Sequence, residues 1–365
     1  MNAEDRQIAE SLDAVTNAVG EWTIDLLWTR DPTMDQRYGA DGRRLWTSEV
    51  RVLIQHLSEA LAAGCPALFL HHARWSRTGF VAREVREKDL HAAVECLREV
   101  VAQDLPASVA KPALTLIDEA LTLLGQTHAL PESAICSSRP NASLARVYLL
   151  QLLQRDQLAA ANVIFEAQRE GKSLAELYES VLAPALAEIG RMWHLQEASV
   201  ADEHYCTAAT HMVMSQLRAR LKPKMSNGRR VLAAAVGGDL HDVGIRMVAD
   251  LFEMDGWHAE YLGANMPSEE LVASLLDAHG QPAFDLLAVS AGTSLSVRAV
   301  ADLIANVRNH PTAGSTPILV GGGPFRFVSD LWQVVGADAF ASDAASALLV
   351  GARLVAGRTG ASRAE

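Results

Sequence analysis

The 365-residue chain has little cysteine, few aromatics, a deficit of positive charge and no long apolar run. Each shortage closes off a class of protein. The four cysteines (Cys65, Cys96, Cys136, Cys206) stand 31, 40 and 70 residues apart. That spacing fits neither a metal knuckle nor a disulfide framework, so a reducing cytoplasm is expected. Lys and Arg total 32 against 44 Asp and Glu, and a net charge of −12 argues against binding nucleic acid by bulk electrostatics. No apolar run approaches the ~20 residues of a membrane helix, and the polar, acidic N-terminus is unlike a signal peptide. A GxGxxG fingerprint and a P-loop are both missing, which disfavours ordinary dinucleotide or triphosphate binding.

What is present is a helix-rich chain in which hydrophobic residues make up 49% but aromatics only 5%. Residues 1–130 read as an all-helical sensory or interaction domain, with helical patterns over 4–28, 48–64, 66–78, 88–103 and 108–124. Val50, Leu53, Ile54, Leu57 and Leu61, spaced by three and four, predict one buried stripe. This domain carries 13 Lys and Arg against 19 Asp and Glu, so a basic DNA-reading face is not expected.

Residues 126–141, with Pro131 and Pro140, read as a linker. Four further helical segments (143–154, 157–170, 174–193 and 199–221) have short connections and predict an antiparallel four-helix bundle over 142–222. From residue 229 to 357 strand and helix alternate. Strands are expected at 231–236, 258–262, 286–290, 318–320 and 339–341, and helices at 242–255, 268–278, 296–309, 327–335 and from 344. The fold class is therefore α plus α/β, ending in a doubly wound, flavodoxin-like parallel sheet of five strands. Ligands of such sheets bind at the carboxyl ends of the strands.

Three of those ends are suggestive: VGGDLHDVG at 236–244, SAGTSLS at 290–296 and the glycines Gly321, Gly322 and Gly323. The glycines let a ligand approach the backbone, Gly244 leaves room beside the first helix, and Ser290 and Ser296 offer hydroxyls. A histidine with a carboxylate two residues before it, His241 after Asp239, can give one ring nitrogen to a metal while the acid side holds the other.

On these motifs, residues 229–357 resemble the cobalamin-binding domain shared by methionine synthase, corrinoid methyl carriers and adenosylcobalamin mutases. The resemblance implies His241 as the lower axial cobalt ligand, in place of the cofactor's own dimethylbenzimidazole. It further implies Asp239 as its orienter, Ser296 hydrogen-bonded to Asp239, and Asp242, Gly244, Ser290 and Gly321 to Gly323 around the cofactor. The displaced nucleotide tail is expected in a slot beside the sheet. One departure is Gly292, where many members carry Leu, Ser or Thr.

In the bundle, Trp193-His194 and, with nine residues between Trp193 and Glu203, the pair Glu203-His204 resemble the motif of light-sensing cobalamin regulators of the CarH type. That resemblance implies a tryptophan covering the adenosyl face, a Glu-His pair touching the adenosyl group, and His194 as an upper cobalt ligand after photolysis. An acidic helical domain ahead of the bundle, instead of a DNA-reading module, is similar to the photocobilins, which add a bilin such as biliverdin. His56, His71, His72 and Trp75 are the residues there that are able to meet a tetrapyrrole. The expectation is a non-enzymatic photoreceptor that binds adenosylcobalamin in the dark and changes domain packing or oligomeric state (dimer or tetramer) in light. An unidentified protein partner would read that change. The alternative is a corrinoid methyl carrier serving a methyltransferase. A mutase is not expected, because a substrate barrel of ~250 residues does not fit beside these domains.

Overall fold

The computed structural model describes residues 1–126 and 129–361, which divide into two compact units, residues 1–130 and 131–365. The expected linker at 126–141 thus includes residues 127 and 128, which lie outside the described residues.

Unit 1 is helical. It runs α1 (Ala3–Arg30), α2 (Met34–Tyr38), α3 (Gly42–Ala62), α4 (Pro66–Ala82), α5 (Glu87–Asp104) and α6 (Ala107–Leu124). Asn2 opens α1 by accepting the Asp5 N–H at 2.7 Å, which satisfies one of the donors every helix start leaves over. The predicted stripe on α3 is buried, from Ile54 and Leu57 at 0% exposure to Leu61 at 7%, and α1 packs along the helix. Each such side chain stabilises the unit by ~1.5–3 kcal/mol. Helix α3 begins six residues before the expected start, because the glycine-bounded turn at Gly39 is followed directly by helix. The short α2 was not expected; it is held by Trp28 Nε1 donating to Asp35 Oδ1 at 2.7 Å and Tyr38 OH donating to Asp89 Oδ2 at 2.7 Å.

Inside this unit His56 and His72 stack face to face, their ring centroids 3.5 Å apart and planes 12° apart, and Trp75 continues the stack 5.7 Å from His72. Both histidines are buried. Burial, and secondarily the charge of neighbouring histidines, pushes His56 down to about 4 and His72 to about 2. A folded-state pKa below the unfolded value of about 6.5 means that the unfolded chain binds more protons in between. The stabilisation is therefore present above pH 6.5 and lost as pH falls through 4. We expect unit 1 to lose on the order of 3 kcal/mol between pH 7 and pH 4 from His56 alone. Urea melts of the full chain at several pH values measure it, and His72→Phe, which keeps a stacked ring but cannot titrate, should flatten the dependence.

Unit 2 begins with a bundle: α7 (Ala142–Leu153), α8 (Gln157–Arg169), α9 (Leu174–Leu177), a π-helical turn at Tyr178–Leu182, α10 (Ala183–His194) and α11 (Val200–Arg220). The third expected helix is thus interrupted by one wide turn, a feature that often marks functional sites. The α/β part follows as β1 (Arg230–Val236), α12 (Val243–Met254), β2 (His258–Met266), α13 (Ser268–Ser274), β3 (Leu286–Ser290), α14 (Val297–Asn309), β4 (Ile318–Gly321), α15 (Gly323–Phe327), α16 (Leu331–Val335), β5 (Ala339–Ala341) and α17 (Ala344–Ala361). All strand pairs are parallel, in the order β2-β1-β3-β4-β5. The expected helix at 327–335 is two short pieces, and β2 runs four residues past its expected end.

Because β1 has both faces covered by helices, Val231 to Ala235 are fully buried, which explains an apolar run without alternation. Bundle and sheet share one core, in which Met247 and Leu251 of α12 join Leu177, Tyr178, Met214 and Leu217. Polar ties add to it: Tyr178 OH donates to Asp250 Oδ2 at 2.7 Å, and Arg218 Nε to Glu253 Oε2 at 2.8 Å. Among the described residues no helix is long and apolar enough to cross a membrane.

Candidate functional site

In this strand order β2 is added on one side of β1 and β3 on the other, and the crevice at the carboxyl ends of β1 and β3 is where open sheets of this kind take ligands. His241 and Asp239 follow β1; Ser290 and Gly292 end and follow β3. Asp239 is buried, while the His241 side chain is 69% exposed. Asp239 Oδ1 lies 2.8 Å from His241 Nδ1 and accepts the His241 backbone N–H at 2.9 Å. Its Oδ2 accepts the Gly292 backbone N–H. Burial pushes the Asp239 carboxyl up, but these hydrogen bonds outweigh it and hold the group below its ordinary value. An ionised carboxylate only accepts, so Nδ1 carries the proton and Nε2 keeps its lone pair for a ligand. The same hydrogen bond raises the His241 pKa against burial, with the charges of Asp239, Glu203 and Asp242 adding to it.

Gly292 is the unexpected member. A Cβ there would stand 2.6 Å from His241 Cβ and 2.8 Å from Nδ1, so the ring sits where another residue's side chain would be. The departure noted in the sequence thus makes room for the imidazole. Ser296, expected to bond to Asp239, instead has its Oγ 3.5 Å from Thr293 Oγ1. Asp239 Oδ1 is shared by the His241 ring and backbone N–H, and Oδ2 takes the Gly292 N–H. Asp242, next to His241, accepts from Tyr261 OH and faces His211 Nε2 of α11 at 3.0 Å, tying the histidine loop to β2 and to the bundle.

Beside His241 opens a cavity of about 390 Å³. Its floor is apolar, with Ile245, Val289 and Leu319; Ser290 and Gly321 to Gly323 border it, and the bundle contributes Glu179 and Pro184. The buried Ser290 Oγ has no hydrogen-bond partner among the described residues, a polar group left for a ligand. Gly322 has φ +106°, and a Cβ on it would lie 2.0 Å from Ala291 O, so only glycine lets β4 turn into α15 here. Arg139, Glu179, Arg326 and Asp343, all cavity residues, were not singled out from the sequence. Arg139 was hidden in an apparent linker, and Glu179 in a helix whose wide turn leaves no compositional mark.

The bundle residues expected above the cofactor occupy two adjoining helix ends. Trp193 is half-buried and His194 buried at the end of α10. Glu203 and His204 open α11, capped reciprocally by Ser199 and Asp202. Glu203 Oε2 accepts from His204 Nδ1 at 2.7 Å and its Oε1 from Thr207 Oγ1 at 2.8 Å. The charge of Glu203 adds to those that raise the His241 pKa.

An orienting carboxylate below an exposed imidazole, an apolar slot beside it and an orphan serine in the slot fit a macrocyclic metal cofactor that needs one axial ligand from the protein. The comparison with known families decides which. Residues 229–349 match the B12 binding domain, and residues 144–218 match a second B12 binding domain family. Residues 144–349 are a cobalamin-binding module.

The bundle and sheet of this module have relatives among corrinoid proteins. A corrinoid protein of Desulfitobacterium hafniense is 25% identical over 202 residues, 54% of this chain and 90% of that protein. Monomethylamine corrinoid protein 1 of Methanosarcina mazei is 26% identical over 204 residues, 54% of this chain and 91% of that protein. The solved monomethylamine corrinoid protein of Methanosarcina barkeri aligns with a TM-score of 0.50 at 24% identity, covering 58% of this chain and 98% of that one. That likeness shows the cobalamin module's fold: a helical cap followed by the five-stranded parallel sheet.

Proposed function

We propose that this protein is a corrinoid methyl carrier, holding cobalamin in unit 2 and presenting a methyl group to a partner methyltransferase. The observation that carries the corrinoid part is the Asp239–His241 pair, with Nε2 exposed at the mouth of the slot. The carrier part is supported by relatives that are corrinoid proteins, two of them of monomethylamine systems. When bound, cobalamin supplies a cobalt able to accept and release an alkyl group. The chain's residues have other tasks. Asp239 fixes the imidazole tautomer, Gly292 anchors Asp239 from β3 and leaves the ring its space, and Asp242 holds the start of α12. The module does not catalyse the transfer by itself in this reading; the partner supplies the acceptor or donor site.

A second reading is an adenosylcobalamin photoreceptor. It rests on one observation, the presence of Trp193, a buried His194 and the hydrogen-bonded Glu203–His204 pair at adjoining helix ends. The bilin added by that resemblance finds less support in unit 1, where His56 and His72 already cover each other's faces. One experiment separates the two. The chain is loaded with methylcobalamin or adenosylcobalamin in the dark, and spectra and solution mass are recorded before and after green light. The carrier reading expects an unchanged mass, and methyl transfer from the methylcobalamin form to a corrinoid methyltransferase. A light-driven change in mass, with a bis-imidazole spectrum lost in His194→Ala, would replace it with the photoreceptor.

A further inference from the structure

The segment ahead of the bundle is not a free tether. Glu188 Oε2 on α10 accepts the Ala134 N–H at 2.7 Å, and Arg146 Nε donates to Ile135 O at 3.0 Å. Asn141 Nδ2 donates to Ser180 Oγ at 2.8 Å, and Ile135 packs against the bundle core. These contacts lay residues 134–141 along the bundle, so that Ala134 and Arg139 become part of the cavity wall. Arg139 lies upstream of both matched cobalamin-binding segments. Arg326 on α15 lines the same cavity from the sheet side.

The charges around this cavity are unevenly committed. Asp343 accepts the Ser346 N–H at 2.7 Å at the start of α17, and Glu179 Oε1 accepts the Ala345 N–H at 2.7 Å. The two acids are thus occupied as caps of one helix. Among the described residues neither Arg139 nor Arg326 is paired with a carboxylate, and both are exposed at the rim. An apolar floor under a rim bearing two guanidiniums suits a flat aromatic group tethered through one phosphate. Cobalamin carries such a group: a benzimidazole joined to the corrin ring through a phosphodiester. If His241 holds the cobalt in place of that base, the tethered base must lie elsewhere in the site.

We propose that Arg139 and Arg326 recognise the phosphodiester of the cofactor's nucleotide tail, making the segment before the bundle a specificity element that distinguishes complete corrinoids from those lacking the tail. This rests on the corrinoid reading above. Arg139 supplies the contact from outside the matched domains, so binding of a complete corrinoid also fixes residues 134–141.

The test uses the full chain and two probes, hydroxocobalamin and diaquocobinamide, which has no nucleotide tail. Affinities come from absorbance titrations. Arg139→Ala and Arg326→Ala should each weaken hydroxocobalamin binding by roughly tenfold, as the loss of one charge-assisted contact implies, and leave diaquocobinamide unchanged. Arg139→Lys should recover part of the loss. Hydrogen exchange at 134–141 should slow with hydroxocobalamin and stay as in the free protein with diaquocobinamide. Equal losses for the two probes, or none for hydroxocobalamin, would overturn the proposal while leaving the corrinoid reading standing. Failure of the unaltered chain to bind either probe would remove both.

Discussion

His241→Ala should lower the affinity of the protein for hydroxocobalamin by at least roughly 100-fold while leaving its melting temperature nearly unchanged. Two observations set those opposite expectations. The imidazole is 69% exposed, so its removal forfeits little buried area. Its Nε2, by contrast, is the one atom that the Asp239 hydrogen bond prepares for a metal, and changes even in the group behind a metal-bound histidine typically cost 10–100-fold. Asp239→Asn is the sharper companion. If its amide oxygen faces His241, its NH2 must face the Gly292 N–H, setting donor against donor in a buried site at a cost of about 1–3 kcal/mol. This variant should therefore lose both affinity and stability. Absorbance titration measures the first and thermal melting the second. Binding by His241→Ala as tight as that of the unaltered protein, with the same spectrum, would remove His241 from the cobalt.

The parts of this site visible in the sequence are those that local chemistry dictates. Asp239 and His241 are two residues apart, and a carboxylate can meet a ring at that spacing wherever the chain goes, so the pair was legible. The apolar run of β1 and the glycines after it were legible for the same reason. What was hidden depends on partners far along the chain. Gly292 reads only as a departure from the family's pattern, with no role, until β3 is laid beside β1, placing its N–H on Asp239 53 residues away. Ala134 needs Glu188, 54 residues on, before the apparent linker becomes a cavity wall. The wide turn at Tyr178–Leu182 changes the face of a helix without changing its composition, sending Tyr178 into the core and Glu179 to the cavity. Strand β2 runs past the stretch its sequence predicts, through an end whose positive φ at Gly263 and Asn265 breaks regular strand character. Use of the cofactor was the least legible feature. Trp193, His194, Glu203 and His204 point to light sensing by residue type, whereas the matched relatives are corrinoid proteins, among them a monomethylamine corrinoid protein.

Two glycines lining the cavity should respond to alanine in opposite ways, because one serves the fold and the other the ligand. At Gly322 the backbone has φ +106° and the added Cβ would stand 2.0 Å from Ala291 O and 2.7 Å from Ala291 C. Neither side has freedom to retreat, since Ala291 N–H donates to Gly321 O at 3.1 Å and Ser290 pairs with Gly321 across the sheet. Gly322→Ala should cost ~3 kcal/mol or more, lowering the melting temperature of unit 2 by about 6–12 °C. At Gly244 an added Cβ meets nothing within 4 Å, and the position is the second residue of α12. Alanine there removes unfolded-state freedom and favours the helix by up to ~0.5–1 kcal/mol, so Gly244→Ala should melt at the same temperature or slightly higher. Yet the open space beside Gly244 belongs to the cavity that begins at His241. If that space is kept for cobalamin, Gly244→Ala should weaken hydroxocobalamin binding by roughly tenfold, about the cost of a 1.4 kcal/mol contact, in a protein that is otherwise more stable. Unchanged affinity would mean that the cofactor does not use this side of the slot, and would move the corrin ring away from the start of α12.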